Sequence, residues 1–308
     1  MGCLNSNTGF SHWFANLHFS GGCNRSCYFC IGQHMQALDP IDNLDTWPLP
    51  GMSEFLARCR EHDIKEINLT GSNTDPLLYN HLETLTGFLR EQIPGAILGI
   101  RTNGVREASK PELLDLFDKA SISITSFNSQ IYKQTMGKGN PPNLKRMLAR
   151  HPSVRFKTNV VLCPETVDTW PYPGESPADF GDLGGTLREL YKLGFDAVNV
   201  REPYGQSHIG DPMVGAGGSW CKKTSGVFGM PSYLWGDRPM RITYWDVHYV
   251  EVESVNLYSN GVVSVTYPVT KGHCPITGNV QDQTNFGTGR HFEQWRSAKQ
   301  KKHLQTIE

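Results

Sequence analysis

The stretch Cys23-Asn24-Arg25-Ser26-Cys27-Tyr28-Phe29-Cys30 constrains this chain more than any other. Three thiols stand in eight residues at the spacing Cys-x3-Cys-x2-Cys. Thiolates this close can hold three irons of a 4Fe–4S cube and leave the fourth iron without a protein ligand. Most such clusters carry four protein cysteines, so a set of three points to chemistry at the open iron. A structural zinc ion is the alternative, and it wants a fourth Cys or His at short spacing. The nearest candidates, His12, His18 and His34, form no knuckle pattern. The other five of the eight cysteines are scattered singly. That pattern speaks against a disulfide framework, and free thiolates imply a reducing, cytoplasmic setting.

With 308 residues the chain is long enough for one large domain, or one domain with an appendage. Its net charge is −1, from 29 Lys and Arg against 30 Asp and Glu. This balance argues against general nucleic-acid binding and against a polybasic membrane patch. No apolar run reaches the length of a membrane span, and no signal peptide opens the chain. Met1-Gly2-Cys3-Leu4-Asn5-Ser6 fits the myristoylation pattern, but the bland reading is a disordered tail over residues 1–12.

From the triplet to about residue 205 the chain alternates strand and helix patterns. Strands are expected at 14–19, Ile64–Leu69, Ala96–Ile100, Ser121–Thr125, Val154–Leu162 and Ala197–Val200. Between them run apolar stripes at helical spacing: Phe55, Leu56 and Cys59; Leu82, Leu85, Phe88 and Leu89; Leu187, Leu190 and Tyr191, with Gly194 placed to stop the last. Ser109-Lys110-Pro111-Glu112 reads as a capping box ahead of Leu113, Leu114 and Phe117. The steps between strand ends suit repeated βαβ crossovers, and six units make a partial barrel with its site at the C-terminal strand ends. Residues 163–182 interrupt the rhythm with four prolines and three aromatics, as a lid or a surface excursion would. Residues 205–240 are rich in Gly, Pro, Ser and Trp. Beyond them Arg241–Asp246, Tyr249–Tyr258 and Val262–Tyr267 read as strands, Ser259-Asn260-Gly261 as a hairpin turn, and Gly289–Lys302 as a basic helix.

The triplet, with the aromatic Phe29 just before its last cysteine, resembles the signature of the radical S-adenosylmethionine (SAM) superfamily. The resemblance covers roughly residues 13–205. It implies an α/β fold, a partial (βα)6 barrel whose cluster loop follows the first strand, here Leu17-His18-Phe19. A small, mostly β extension over 206–308 would cover the substrate. The layout is distantly similar to the molybdenum-cofactor cyclase group and to peptide-maturing relatives. The cyclase group needs a second C-terminal cluster, for which Cys163, Cys221 and Cys274 offer no close pair.

The resemblance also implies roles for residues. Cys23, Cys27 and Cys30 would ligate the 4Fe–4S cluster, SAM would chelate its open iron, and Phe29 would contact the adenine. The family's second motif, often Gly-Gly-Glu-Pro, corresponds here to Gly71-Ser72-Asn73-Thr74-Asp75-Pro76. That loop would present carbonyls to the SAM ammonium, with Asp75 or Thr74 as side-chain acceptor in place of the Glu. Ser123, Ser126, Asn128 and Asn159 are candidates for the ribose and carboxylate, although Asn128 is as well explained as a helix cap. Arg101, Lys157 and Arg201 are candidates for an anionic group. Cys163, at the end of the fifth strand, is a candidate reactive thiol at the mouth; packing is the commoner fate of an isolated cysteine. The activity implied is reductive SAM cleavage to a 5′-deoxyadenosyl radical that takes hydrogen from an organic substrate, with flavodoxin or ferredoxin as reductant. Peptide maturation and methyl or methylthio transfer are alternative outcomes, and a non-catalytic iron–sulfur protein is the remaining one.

Overall fold

Successive residues along the N-terminal strands have opposite surroundings, and this alternation positions everything else. The computed structural model describes residues 13–35, 39, 41–167, 181–201, 221–227, 230–235, 240–245 and 253–266. Strands β1 (Phe14–Phe19), β2 (Glu66–Gly71), β3 (Ile97–Thr102), β4 (Lys119–Ile124), β5 (Arg155–Val161) and β6 (Ala197–Arg201) pair in parallel, each with the next in the chain. Helices α1 (Gly32–Met35) and α2 (Met52–Glu61) join β1 to β2, and α3 (Leu82–Gln92) joins β2 to β3. Helices α4 (Ser129–Met136) and α5 (Leu144–Arg150) lie between β4 and β5, and α6 (Pro164–Val167) and α7 (Gly181–Leu193) between β5 and β6.

One face of the strands supplies Leu17, Leu69, Ile100, Ile122, Val160 and Val200 to a core shared with Phe55 of α2, Leu85 of α3 and Leu187 of α7. Each such side chain contributes about 1.5–3 kcal/mol by leaving water, so this face holds the helices on. Asn128 caps α4, its Oδ1 accepting from the N–H groups of Gln130 (2.9 Å) and Ile131 (3.4 Å). The cap explanation of Asn128 therefore stands.

The extension does not form a separate layer. Strands β7 (Cys221–Val227), β8 (Met230–Trp235), β9 (Met240–Trp245), β10 (Glu253–Leu257) and β11 (Val263–Thr266) widen the same sheet at both edges. β9 adds in parallel to β6, and β10 in parallel to β1. β8 and β7 continue antiparallel beyond β9, and β11 continues antiparallel beyond β10. The order is β11-β10-β1-β2-β3-β4-β5-β6-β9-β8-β7. The β10–β11 hairpin turns at Ser259-Asn260-Gly261 as expected; Gly261 takes φ +84°, a left-handed angle that glycine adopts without strain.

Three expectations change. The 109–112 capping box does not open a helix: Arg106–Ala108 and Pro111–Leu116 are short 3₁₀ segments. Ser109 ends the first of them, its hydroxyl donating back to the Arg106 carbonyl (3.1 Å), so it is not available as an N-cap. Strands β7 and β8 occupy the Gly- and Ser-rich stretch that carries no strand pattern. The extension strands expected at 249–258 and 262–267 are described only as β10 and β11. Residues 1–12, 168–180 and the expected helix at 289–302 lie outside the described residues, as does Cys274.

Candidate functional site

The strand faces opposite the core converge on one cavity at the C-terminal strand ends. Asn16 and His18 of β1, Thr70 of β2 and Arg101 of β3 line it on one side. Ser123 of β4, Asn159 and Val161 of β5 and Arg201 of β6 line it on the other. Cys23, Cys27, Phe29 and Cys30 of the loop after β1 close it from above, with residues 71–75 beside them. The expectation of a site at this end of the strands, built by the β1 and β2 loops, matches this arrangement.

The two loops are stitched together by side chains. Asn73 Oδ1 accepts from the Gly21 amide (2.9 Å) and the Ser20 hydroxyl (3.0 Å), and the Thr74 hydroxyl donates to the Gly22 carbonyl (2.7 Å). Gly71 has to be glycine: a Cβ there would strike the Thr74 carbonyl oxygen. The Ser72 carbonyl oxygen lies 3.8 Å from Cys30 Sγ, so loop backbone reaches the thiols themselves.

Asp75 is buried and committed to the protein. Its carboxylate accepts from the Leu77 amide (2.9 Å), the Thr102 hydroxyl (2.8 Å) and the Asn103 amide (2.7 Å). Burial raises its pKa and these donors oppose the rise. Its place in the site is therefore to fasten the β2 loop to the end of β3, while the loop carbonyls stay free of that task. Asn103 in turn donates to Asn24 Oδ1 (2.7 Å), tying β3 to the cysteine loop.

The three thiols share one electrostatic environment. Burial pushes Cys27 up to about 12, and repulsion from Cys30 and Cys23 adds to it. Burial likewise raises Cys23 and Cys30, with Arg201 opposing the rise at Cys30. Arg25 works in the same favourable sense at Cys27. Two guanidinium groups thus flank a place where three thiolates would gather negative charge. Among the described residues, no three His, Cys, Asp or Glu side chains converge on a single ion.

Some expected residues fall elsewhere. Ser126 lies outside the cavity: beyond the end of β4 the chain turns into α4, and its hydroxyl donates to Asp182 (2.7 Å) while accepting from the Asn128 amide (2.8 Å). Cys163 is fully buried and does not line the cavity. The chain turns at Leu162 into α6, the Cys163 amide donates to Thr166 Oγ1 (3.0 Å), and the thiol packs on Tyr28 instead of facing the mouth. Burial raises this thiol well above the ordinary range. Lys157 does not line the cavity either, whereas Arg101 does, its guanidinium over the Phe14 ring at 5.9 Å. Phe29 is half-buried at the cavity edge.

The structure adds His18, Asp39 and Asn256. The Ser72 hydroxyl donates to Asp39 in a very short contact and lies 3.3 Å from His18 Nδ1. His18 Nε2 is 3.5 Å from Asn256 Oδ1 of β10, which accepts from Asn16 Nδ2 at 2.8 Å. Asp39 also accepts from the Ser259 amide of the β10–β11 hairpin. Burial lowers His18 to about 4, so the ring is neutral near pH 7. This network joins the β2 loop to the extension. His18 stood in the sequence only as a weak zinc candidate; its inward position on β1, in phase with Asn16, was the available signal.

Comparison with known families gives the Radical SAM superfamily, matched over residues 17–183. No curated protein sequence matches. Solved structures to which the chain is similar include Streptococcus suis SuiB bound to S-adenosylmethionine, at 15% identity over 63% of this chain and 39% of that one, TM-score 0.40. The same protein bound to precursor peptide SuiA has 12% identity over 90% and 66%, TM-score 0.49. Coproporphyrinogen III oxidase (HemN) from Escherichia coli has 15% identity over 66% and 46%, TM-score 0.41. The chain thus spans about two fifths to two thirds of the length of these proteins.

Proposed function

The chain belongs to the radical SAM superfamily, whose members use a 4Fe–4S cluster and S-adenosylmethionine, and from that premise we propose that it cleaves SAM reductively to abstract hydrogen from an organic substrate of small-molecule or nucleoside type. The observation that carries this reading is the opening of Cys23, Cys27 and Cys30 into one cavity with the 71–75 loop. In it, those three cysteines hold the cluster. When bound, the cluster and SAM supply a 5′-deoxyadenosyl radical, and the protein's part is to position, orient and exclude water.

The residues divide that work. The carbonyls of the 71–75 loop receive the ammonium, since Asp75 is occupied by Thr102, Asn103 and Leu77. Arg201 neutralises a carboxylate beside Cys30. Ser123 and Asn159 offer hydroxyl and amide groups to the ribose, Asn159 being oriented by Ser121 (2.8 Å) and Asn199 (3.1 Å). Phe29 supplies an apolar face at the rim. The polar inner strand face below, with Arg101, His18 and Asn16, receives the substrate. We read 13–205 as the catalytic barrel and 206–308 as an extension over the substrate. We place the protein in the cytoplasm with a flavodoxin or ferredoxin as reductant; among the described residues no helix is long and apolar enough to cross a membrane.

Anaerobic reconstitution tests the reading. The expected result is a protein carrying four irons that makes 5′-deoxyadenosine from SAM and dithionite. Cys27→Ala is expected to lose both the cluster absorbance and all measurable cleavage while keeping its circular dichroism. Wild-type protein that holds zinc, or that holds iron and leaves SAM intact, would overturn it.

A further inference from the structure

Residues 119–164 carry eight of the chain's 29 Lys and Arg and none of its 30 Asp and Glu. In a chain of net charge −1 this is a sharp segregation, and it concerns the segment that packs on the cysteine loop. We propose that α4, the turn after it and the first turn of α5 form the docking surface for an acidic one-electron carrier protein. The proposal rests on the cluster reading above and adds where the electron enters.

Not all eight cations count. Lys119 is paired with Glu66 (2.7 Å), and Arg146 and Arg150 with buried Glu107 (3.0 and 2.9 Å). Arg155 and Lys157 sit on β5, Arg155 at its N-terminal end, away from the cysteine loop. Lys133, Lys138 and Lys145 remain; all three are exposed and none has an acidic partner among the described residues. Acids on neighbouring elements are engaged: Glu107 holds Arg146 and Arg150, Glu165 accepts from the Tyr28 hydroxyl (2.9 Å) and Asp182 from Ser126 (2.7 Å).

The segment that carries these lysines touches Cys27, a cluster ligand in the reading above. Met136, the last residue of α4, stands between Lys133 and Lys138 in the chain, and its Sδ is 3.5 Å from Cys27 Sγ. Its carbonyl accepts from the Ser26 amide (3.2 Å), and Gly137 packs so closely on Ser26 that a Cβ would clash. Arg25 donates to the Asn140 carbonyl (3.5 Å) and the Tyr132 hydroxyl (3.4 Å). The cysteine loop is therefore braced from outside by the same segment that presents the lysines. A partner seated there meets the helix whose last residue, Met136, is in contact with Cys27. One electron leaves the reduced carrier and enters the cluster; no bond is made or broken. Opposite charge accelerates such encounters and fixes their orientation, and salt weakens it.

The test uses full-length reconstituted protein, a bacterial flavodoxin as probe, and the triple variant Lys133→Glu, Lys138→Glu, Lys145→Glu. Titration calorimetry with oxidised flavodoxin is expected to show binding that weakens with salt in the wild type, and at least about tenfold weaker binding with a flattened salt response in the variant. 5′-Deoxyadenosine formation driven by reduced flavodoxin should fall in parallel, while that driven by dithionite stays within about twofold, since a small reductant needs no docking. Arg155→Glu makes one such charge reversal at the N-terminal end of β5, away from the cysteine loop, and should alter neither readout, whereas Lys138→Glu alone should weaken flavodoxin. If the triple variant loses its circular dichroism, Lys138→Glu in the turn should still weaken flavodoxin about threefold. Equal affinities for wild type and variant, or an equal loss in Arg155→Glu, would overturn the surface. So would a transfer RNA whose binding the triple variant abolishes while flavodoxin binding is unchanged, because the face would then belong to nucleic acid. Failure of dithionite-driven cleavage in the wild type would strike the cluster reading alone; the calorimetry would still decide the surface.

Discussion

The two faces of the six N-terminal strands are built from the same backbone and have little else in common. One carries Leu17, Leu69, Ile100, Ile122, Val160 and Val200, sealed under helices. The other carries Asn16, His18, Thr70, Arg101, Ser123, Asn159 and Arg201 into a cavity. Parallel strands covered on both sides usually read as continuous apolar runs, and a closed eight-stranded barrel fills its interior with branched side chains. Here the period-two alternation of the strands separates a face that supplies the core from a polar face that lines the cavity. Substitutions on the two faces should therefore fail in different assays.

The largest contrast should come from the outer face. Leu69 is wholly buried in the middle of β2. Leu69→Ala should cost about 2–5 kcal/mol in urea unfolding, from lost transfer energy and the cavity left behind. At temperatures where the variant remains folded, its SAM affinity should match the wild type. A loss of SAM affinity in folded protein would show that the faces are not separable.

A smaller effect, of opposite kind, is expected inside. Asn159→Ala removes an amide held by Ser121 and Asn199. Its unfolding free energy should change by no more than about 1.5 kcal/mol. Its SAM affinity, measured by calorimetry on the reconstituted protein, should drop about five- to tenfold, as the loss of one hydrogen bond implies. Unchanged affinity would move the cofactor away from β5.

Much of this was legible in the sequence because it is local. The triplet, the helical stripes of α2, α3 and α7, the order of the six strands and the turn at Gly261 all depend on residues a few positions apart. The 71–75 loop was located by its distance from Cys30, and its Gly71 proved to be a position with no room for a side chain. What stayed hidden is set by partners far along the chain. Asp75 read as a free acceptor, because nothing in its neighbourhood shows that Thr102 and Asn103 would occupy it. Asp39, His18 and Asn256 come together only when β10 joins β1 in parallel. Strand β7, Cys221-Lys222-Lys223-Thr224-Ser225-Gly226-Val227, lacks an apolar alternation and is recruited by pairing with β8. Ser126 and Cys163 were misplaced for one reason: both lie just past a strand end, where the chain has already turned into a helix and the alternation no longer applies.

Cys59 gives the finest test of the division, because it sets a wholly buried cysteine against a part-buried one whose thiol is raised to a similar value. Cys59 lies on the apolar face of α2, wholly buried, and burial alone pushes its thiol up to about 12. Cys27 reaches a similar value, but beside two other thiols and the cavity. Cys59→Ala should lower stability by about 1–2 kcal/mol, the loss of one small buried group. Iron content, cluster absorbance and 5′-deoxyadenosine yield should stay at wild-type values. An iron-deficient or inactive Cys59→Ala protein with undiminished stability would place a fourth sulfur in reach of the cluster, and the three-cysteine site would have to be redrawn.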